Sequence, residues 1–238
     1  MELFVGTSGF SYKEWQPDFY PPKMPADRFL AHYASELPCV EINGSFYRFP
    51  TKKLLAGWAE QVAGRDFSFV LKAPSKITHI GRLKPLDVVD AFIDSARTLG
   101  PHLGALLFQL PPNMKKDLER LDGFLEHVPS DVRVALEPRH PSGLEDDGVE
   151  RRRARGVALC LAETEEAKAD DELNAPFIAT APFGYLRLRR EDYTEAELIA
   201  WATRLKAQAW DKVFVFFKHE AVRSVVCAKL LRAQFAGA

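Results

Sequence analysis

Short runs rich in β-branched and aromatic residues recur roughly every 30 residues along the chain, with amphipathic or polar stretches between them. That alternation is the signature of repeated βα units and a parallel sheet. Eight runs can be marked: Leu3 to Thr7, Cys39 to Asn43, Phe67 to Lys72, Ala105 to Gln109, Val132 to Glu137, Val157 to Leu161, Tyr185 to Leu188 and Val213 to Phe217. Helical patterns lie between them, at Asp27 to Ser35, Lys53 to Ala63, Leu86 to Leu99, Lys115 to His127, Glu195 to Gln208 and Val222 to Phe235. After the fifth and sixth strands the units are irregular: Asp146 to Arg155 reads as a short helix, and Glu163 to Pro182 as a long acidic connection. Eight strands with alternating helices close a barrel or lie open as a doubly wound sheet. Gly6-Thr7-Ser8-Gly9 lacks the glycine spacing of a dinucleotide-binding sheet, so closure is favoured. The expected fold is a single-domain TIM-type (β/α)8 barrel, and 238 residues suit one such domain.

Composition narrows the partners. Lys and Arg number 32 against 33 for Asp and Glu, so no global field draws the protein to nucleic acid or an anionic membrane. No stretch approaches the roughly eighteen apolar residues of a membrane span, and the N-terminus lacks the pattern of a signal peptide. A cytoplasmic location is expected. Cys39, Cys160 and Cys227 are far apart in the sequence and sit among apolar neighbours, as buried reduced thiols do. Arg151-Arg152-Arg153-Ala154-Arg155 is preceded by Glu145, Asp146, Asp147 and Glu150, which predicts a charged solvent-facing helix rather than a nucleic-acid patch.

In a barrel, alternate strand residues face the axis and the last inward residue reaches the catalytic mouth. The alternation sends Val40, Ile42, Phe69, Leu71, Val134, Leu136, Leu186 and Leu188 outward. Glu41, Asn43, Lys72, Gln109, Glu137 and Arg187 then terminate five different strands at one end, where unpaired burial would cost several kcal/mol per charge. Internal salt bridges between Glu137 and Lys72 or Arg187 are the structural alternative to a ligand site. Glu41 and Glu137 are the candidate acid and base, with proton affinities expected to be pushed apart, and Lys72 and His140 complete the candidate catalytic set. Lys72, Arg139, Arg187 and Arg189 can clamp a phosphate or carboxylate. The Gly6 to Gly9 turn, with Ser8, can offer backbone N–H groups to an anion. Tyr12, Trp15, Phe19, Phe46 and Tyr47 can stack on a sugar or base, and His79, like His140, lies just beyond a strand end.

The same residues resemble the family known as domain of unknown function 72, the YecE-like proteins. The resemblance runs nearly the full length and rests on short motifs. They are Gly6-Thr7-Ser8-Gly9-Phe10-Ser11-Tyr12 with Trp15 and Tyr20-Pro21; Val40-Glu41-Ile42-Asn43-Gly44-Ser45-Phe46-Tyr47; Phe69-Val70-Leu71-Lys72 with Ile77-Thr78-His79; Phe108-Gln109-Leu110-Pro111-Pro112; and Glu137-Pro138-Arg139-His140-Pro141-Ser142. It implies a TIM-type barrel with these motifs at one mouth, and no established activity. The chain departs from the family pattern at Gly143, where Trp is usual, and at Glu163, where the sixth strand often ends in Asp. A third departure is Phe216-Phe217-Lys218-His219-Glu220, in place of an Asn-rich motif.

These readings converge on an enzyme that acts on a small anionic metabolite, phosphorylated or sugar-like, by acid/base chemistry at the mouth. One alternative is a non-enzymatic ligand- or nucleic-acid-binding module. Another is a metal-dependent hydrolase or isomerase drawing on Glu41, Glu137, His140, Glu163 and His219. The neighbouring cations and the lack of a metal-binding histidine spacing argue against a divalent metal, and no cofactor is expected.

Overall fold

The computed structural model describes residues 1–163, 177–218 and 221–235. Among them nine strands run parallel in one sheet: β1 (Glu2–Thr7), β2 (Cys39–Ile42), β3 (Ser68–Lys72), β4 (Leu103–Gln109), β5 (Val134–Glu137), β6 (Ala158–Leu159), β7 (Leu161–Ala162), β8 (Phe183–Leu188) and β9 (Lys212–Phe217). The order is β6-β5-β4-β3-β2-β1-β9-β8-β7. The expected sixth strand has divided at Cys160: β6 pairs with β5, and β7 pairs with β8. The two short pieces bring the ends of the sheet together in a nearly closed barrel of eight strand positions, the expected TIM-type architecture.

Backbone hydrogen bonding accounts for the division. Thr180 Oγ1 takes the Leu159 N–H at 2.7 Å and donates to Val157 O at 2.8 Å, occupying groups that a continuous ladder would use. The Cys160 N–H still reaches Leu136 O, while the Glu163 N–H reaches Arg187 O on the other side, both at 2.9 Å.

The helices are α1 (Phe29–Glu36), α2 (Gly44–Tyr47), α3 (Lys52–Gln61), α4 (Leu86–Ala96), α5 (Leu118–His127), α6 (Asp146–Ala154), α7 (Glu195–Lys206) and α8 (Arg223–Ala233). In α4 the spacing of Val89, Phe92, Ile93 and Ala96 puts one apolar stripe on the sheet, and all four are buried. The expected continuation of α4 to Leu99 instead tightens into a 3-10 turn, Arg97–His102, containing Gly100 at φ 54° and Pro101. Caps fix other starts: Asp117 accepts the Arg120 N–H before α5, and Thr194 with Glu197 forms a capping box before α7. Among the described residues no helix is long and apolar enough to cross a membrane.

Alternation along the strands separates two cores, as expected. Val40, Phe69, Leu71, Val134, Leu136, Leu186 and Leu188 pack between sheet and helices. Inside the barrel lie Phe4, Cys39, Val70, Tyr185, Phe214 and Phe216 among smaller residues. Cys39, Cys160 and Cys227 are free thiols and buried.

The basic run corrects one expectation. Arg151 pairs with Asp122 and Arg155 with Glu126 on the surface, but Arg152 turns inward, 3% exposed, and donates to Gly143 O at 2.5 Å. Burial lowers its guanidinium to about 10, although Asp147 acts to raise it.

At the start of the site, Tyr33 of α1 ties two strands together. Its hydroxyl accepts the Thr7 N–H at 2.8 Å, donates to Cys39 O at 3.0 Å and lies 2.8 Å from Thr7 Oγ1. Tyr33→Phe strands the Thr7 N–H in a dry interior, which costs about 1–3 kcal/mol. The expected result is a lower denaturation midpoint with unchanged circular dichroism, and an unshifted midpoint would show the bond to be dispensable.

Candidate functional site

Three side chains from strands that are not neighbours meet at the C-terminal end of the barrel. Glu41 of β2, Glu137 of β5 and Arg187 of β8 are 0%, 1% and 1% exposed. Arg187 spans the carboxylates, with Nη2 2.9 Å from Glu41 Oε1 and Nη1 2.8 Å from Glu137 Oε2. The remaining carboxylate valences are also filled. Glu41 Oε1 accepts from Ser8 Oγ at 2.8 Å and its Oε2 from the Tyr185 hydroxyl at 2.6 Å. Glu137 Oε1 accepts from Gln109 Nε2 at 2.8 Å and from Arg139 at 3.2 Å.

Burial works to raise both carboxyls, but Arg187, with the surrounding donors, overcomes it and holds each below its ordinary value. The same burial disfavours the Arg187 cation, yet the two glutamates push it further up. The structure therefore corrects the expected division of labour: Glu41 and Glu137 are not split into a protonated acid and an ionised base, because one guanidinium serves both. The salt-bridge alternative raised from the sequence accounts for Arg187, whereas Lys72 stays outside these pairs.

Lys72, at the end of β3, is half-buried with its Nζ 4.3 Å from the centroid of the Phe46 ring. Burial chiefly, then Arg187 and Arg189, lower it from 10.5 to about 8 against the pull of Glu41 and Glu137. Arg189, one turn of the alternation beyond Arg187, is also half-buried and lowered, first by burial and then by Arg187. His79 packs edge-on against Phe46 at 4.8 Å, and burial, Lys72 and Arg139 hold it below its ordinary value. Among the described residues neither Lys72 nor Arg189 has an ion-pair partner, and Asn43 Oδ1 and Arg187 Nε are buried without a hydrogen-bond partner. The mouth thus gathers Glu41, Glu137, Lys72, Asn43, Phe46, His79, Gln109, Arg139, Arg187 and Ser8. Two carboxylates face four cations there, Arg187, Lys72, Arg139 and Arg189, leaving an excess of two positive charges.

Other expected site residues lie at the edge of this group or away from it. Trp15, 1% exposed, packs with near-parallel rings against Tyr20 and Tyr33 and is too buried to offer a face to a ligand. Phe19 belongs to the same buried cluster. Tyr12 stays beside the site, donating to Ser8 O at 3.0 Å, and burial and then Glu41 push its hydroxyl up to about 12. Tyr47 is 85% exposed and meets the mouth through its edge contact with Phe46. His140 is a cap: its Nδ1 accepts the Ser142 N–H at 3.2 Å and lies 2.8 Å from Ser142 Oγ. The Gly6 to Gly9 turn does not present its first amides as a nest, since the Ser8 N–H goes to Phe217 O and the Gly9 N–H to Thr7 O.

The metal alternative drew on Glu41, Glu137, His140, Glu163 and His219. Glu163 is bonded to Tyr193 at 2.5 Å and paired with Arg190 at 3.2 Å. His219 and Glu220 lie outside the described residues, within which no group of three metal-ligating side chains forms. Tyr185 faces inward by the alternation that sends Leu186 and Leu188 outward, but that alternation does not show its bond to Glu41. Its position two residues before Arg187 on the same face was the available signal.

Three comparisons set this geometry among known proteins. A family profile described as "Protein of unknown function DUF72" matches residues 4–238. UPF0759 protein YecE of Escherichia coli K12 is 33% identical over 114 residues, 47% of this chain and 42% of that one. UPF0759 protein YunF of Bacillus subtilis strain 168 is 28% identical over 149 residues, 59% of this chain and 51% of that one. The chain therefore matches about half or less of the length of these curated relatives. The crystal structure of a DUF72 family protein from Thermotoga maritima superposes with a TM-score of 0.82 at 21% identity, covering 99% of both chains. At that identity the likeness speaks for the shared barrel.

Proposed function

The chain belongs to the DUF72 family, and from that premise we propose that the barrel mouth binds a small anionic metabolite and transfers a proton to or from it through Lys72. The observation that carries the reading is the pair of cations, Lys72 and Arg189, at the strand ends without an acidic partner among the described residues. Arg187 is spent on Glu41 and Glu137. Arg189 remains to grip a phosphate or carboxylate, with Arg139 near it although that side chain also touches Glu137 at 3.2 Å, and Arg offers a two-pronged fork. The acid/base role expected of the glutamates passes to Lys72, whose lowered value of about 8 sits near working pH. Glu41 and Glu137, held ionised, set the field in which that lysine works.

Inorganic phosphate tests the anion site. In thermal unfolding, phosphate is expected to raise the apparent midpoint of the wild-type chain progressively with concentration. It is expected to do so far less for Arg189→Ala. The shift weakens as pH rises through about 8, because Lys72 then loses its charge. Equal stabilisation of the two proteins would remove Arg189 from the site. Tight, steeply salt-dependent binding of a short oligonucleotide, abolished by Arg189→Ala, would favour the nucleic-acid alternative.

A further inference from the structure

We infer that Lys72 acts as a nucleophile that forms an imine with the carbonyl carbon of a small anionic aldehyde or ketone at the barrel mouth. The inference rests on the anion site proposed above and names its substrate class.

The geometry supplies what such a step needs. Lys72 Nζ makes no hydrogen bond or ion pair among the described residues, so once the ammonium has given up a proton no protein contact must break before its lone pair attacks. The Phe46 ring backs the amine at 4.3 Å and keeps water from one side. Arg187 and Arg189 act against its protonation, while Glu41 and Glu137 lie close enough to favour a cation there. An imine formed on this nitrogen and then protonated places its charge in the same field. Burial with cationic neighbours is the general way in which a lysine becomes nucleophilic near neutral pH.

The step balances without a redox partner. The Lys72 amine adds to the carbonyl carbon, a proton passes from nitrogen to the carbonyl oxygen, and the resulting hydroxyl takes a second proton, relayed from solvent, and leaves as water when the C–O bond breaks. The product is the protonated imine. His79, kept neutral by burial and by Lys72 and Arg139, packs against the same Phe46 ring and is placed to carry the proton. Its Nδ1 faces Thr78 Oγ1 at 3.0 Å, which leaves Nε2 for exchange.

Reductive trapping tests the inference on the whole chain. The protein is incubated with dihydroxyacetone phosphate or with uncharged dihydroxyacetone, reduced with borohydride, and the adduct is located by intact mass and peptide mapping. One adduct on Lys72 is expected. It should form about 10-fold or more faster than on other lysines, because the amine fraction near neutral pH is larger. Its rate rises with pH through about 8, and Lys72→Arg abolishes it. The phosphorylated probe is expected to react faster than the uncharged one, and Arg189→Ala to erase that advantage. Adducts spread evenly over the lysines would overturn the imine, whether or not phosphate stabilises the protein. Labelling of Lys72 at equal rates by both probes, unaffected by Arg189→Ala, would support the imine and overturn the anion site instead.

Discussion

Arg187→Met is expected to destabilise the protein by about 3–5 kcal/mol at neutral pH and to invert the pH dependence of what stability remains. In the wild-type chain Glu41 and Glu137 are held below their ordinary 4.5 by Arg187 and their hydrogen bonds. A depressed carboxyl contributes stability that is present above its unfolded value and lost as pH falls through its folded value. The wild type should therefore weaken in acid. With Met at position 187 the burial remains and its chief compensation is gone, leaving only Ser8 and Tyr185 on Glu41 and Gln109 and Arg139 on Glu137, so both carboxyls are expected to rise above their unfolded values. Protonation then relieves the folded state, and the variant gains stability on going from about pH 7 to about pH 5. Urea denaturation at the two pH values reads the result directly. Parallel curves for the two proteins would mean that Arg187 does not hold the glutamates ionised.

The second large effect is expected from a single methyl group. At Gly6 of β1, paired in register with Cys39 of β2, a Cβ would fall inside the contact radius of the Cys39 carbonyl oxygen and 2.8 Å from its carbon. The obstacle is backbone rather than a movable side chain, so β1 and β2 must part. Gly6→Ala should cost about 3 kcal/mol, or about 6–12 °C in the unfolding midpoint of a chain this size. The site should suffer with the fold. β1 carries Ser8 onto Glu41 at 2.8 Å, so the phosphate response is expected to fall even where the variant remains folded. A midpoint within a degree of the wild type would show that the two strands can separate at little cost.

Much of the barrel was legible in the sequence because a strand with two different neighbours writes its two faces into alternate residues. Glu41 and Arg187 could be placed inward from Val40, Ile42, Leu186 and Leu188 alone. The break at Cys160 could not be read, since it depends on Thr180, 21 residues beyond Leu159 in sequence. The burial of Arg152 was hidden for a related reason: three neighbouring arginines find surface partners, and only the packed position of Gly143 shows where the fourth goes.

The site was legible as a list and not as a charge balance. Arg187 lies 146 residues from Glu41 and 50 from Glu137, and only barrel closure lets one guanidinium neutralise both. Without that contact the carboxylates read as an acid and a base. With it, the titrating role moves to Lys72. Trp15 shows the opposite failure, because an aromatic in a loop motif reads as a stacking platform until it is seen buried against the rings of Tyr20 and Tyr33.

The most direct test of an anion-attracting mouth built around Lys72 is the titration of the lysine side chains by carbon-detected NMR, with and without inorganic phosphate. One lysine, identified by its loss in Lys72→Arg, should titrate near 8, and phosphate should move it upward, because an anion that prefers the ammonium must in turn stabilise it. If Lys72 titrates with the other lysines near their ordinary 10.5 and ignores phosphate, the mouth is a salt-bridged barrel end and not a site.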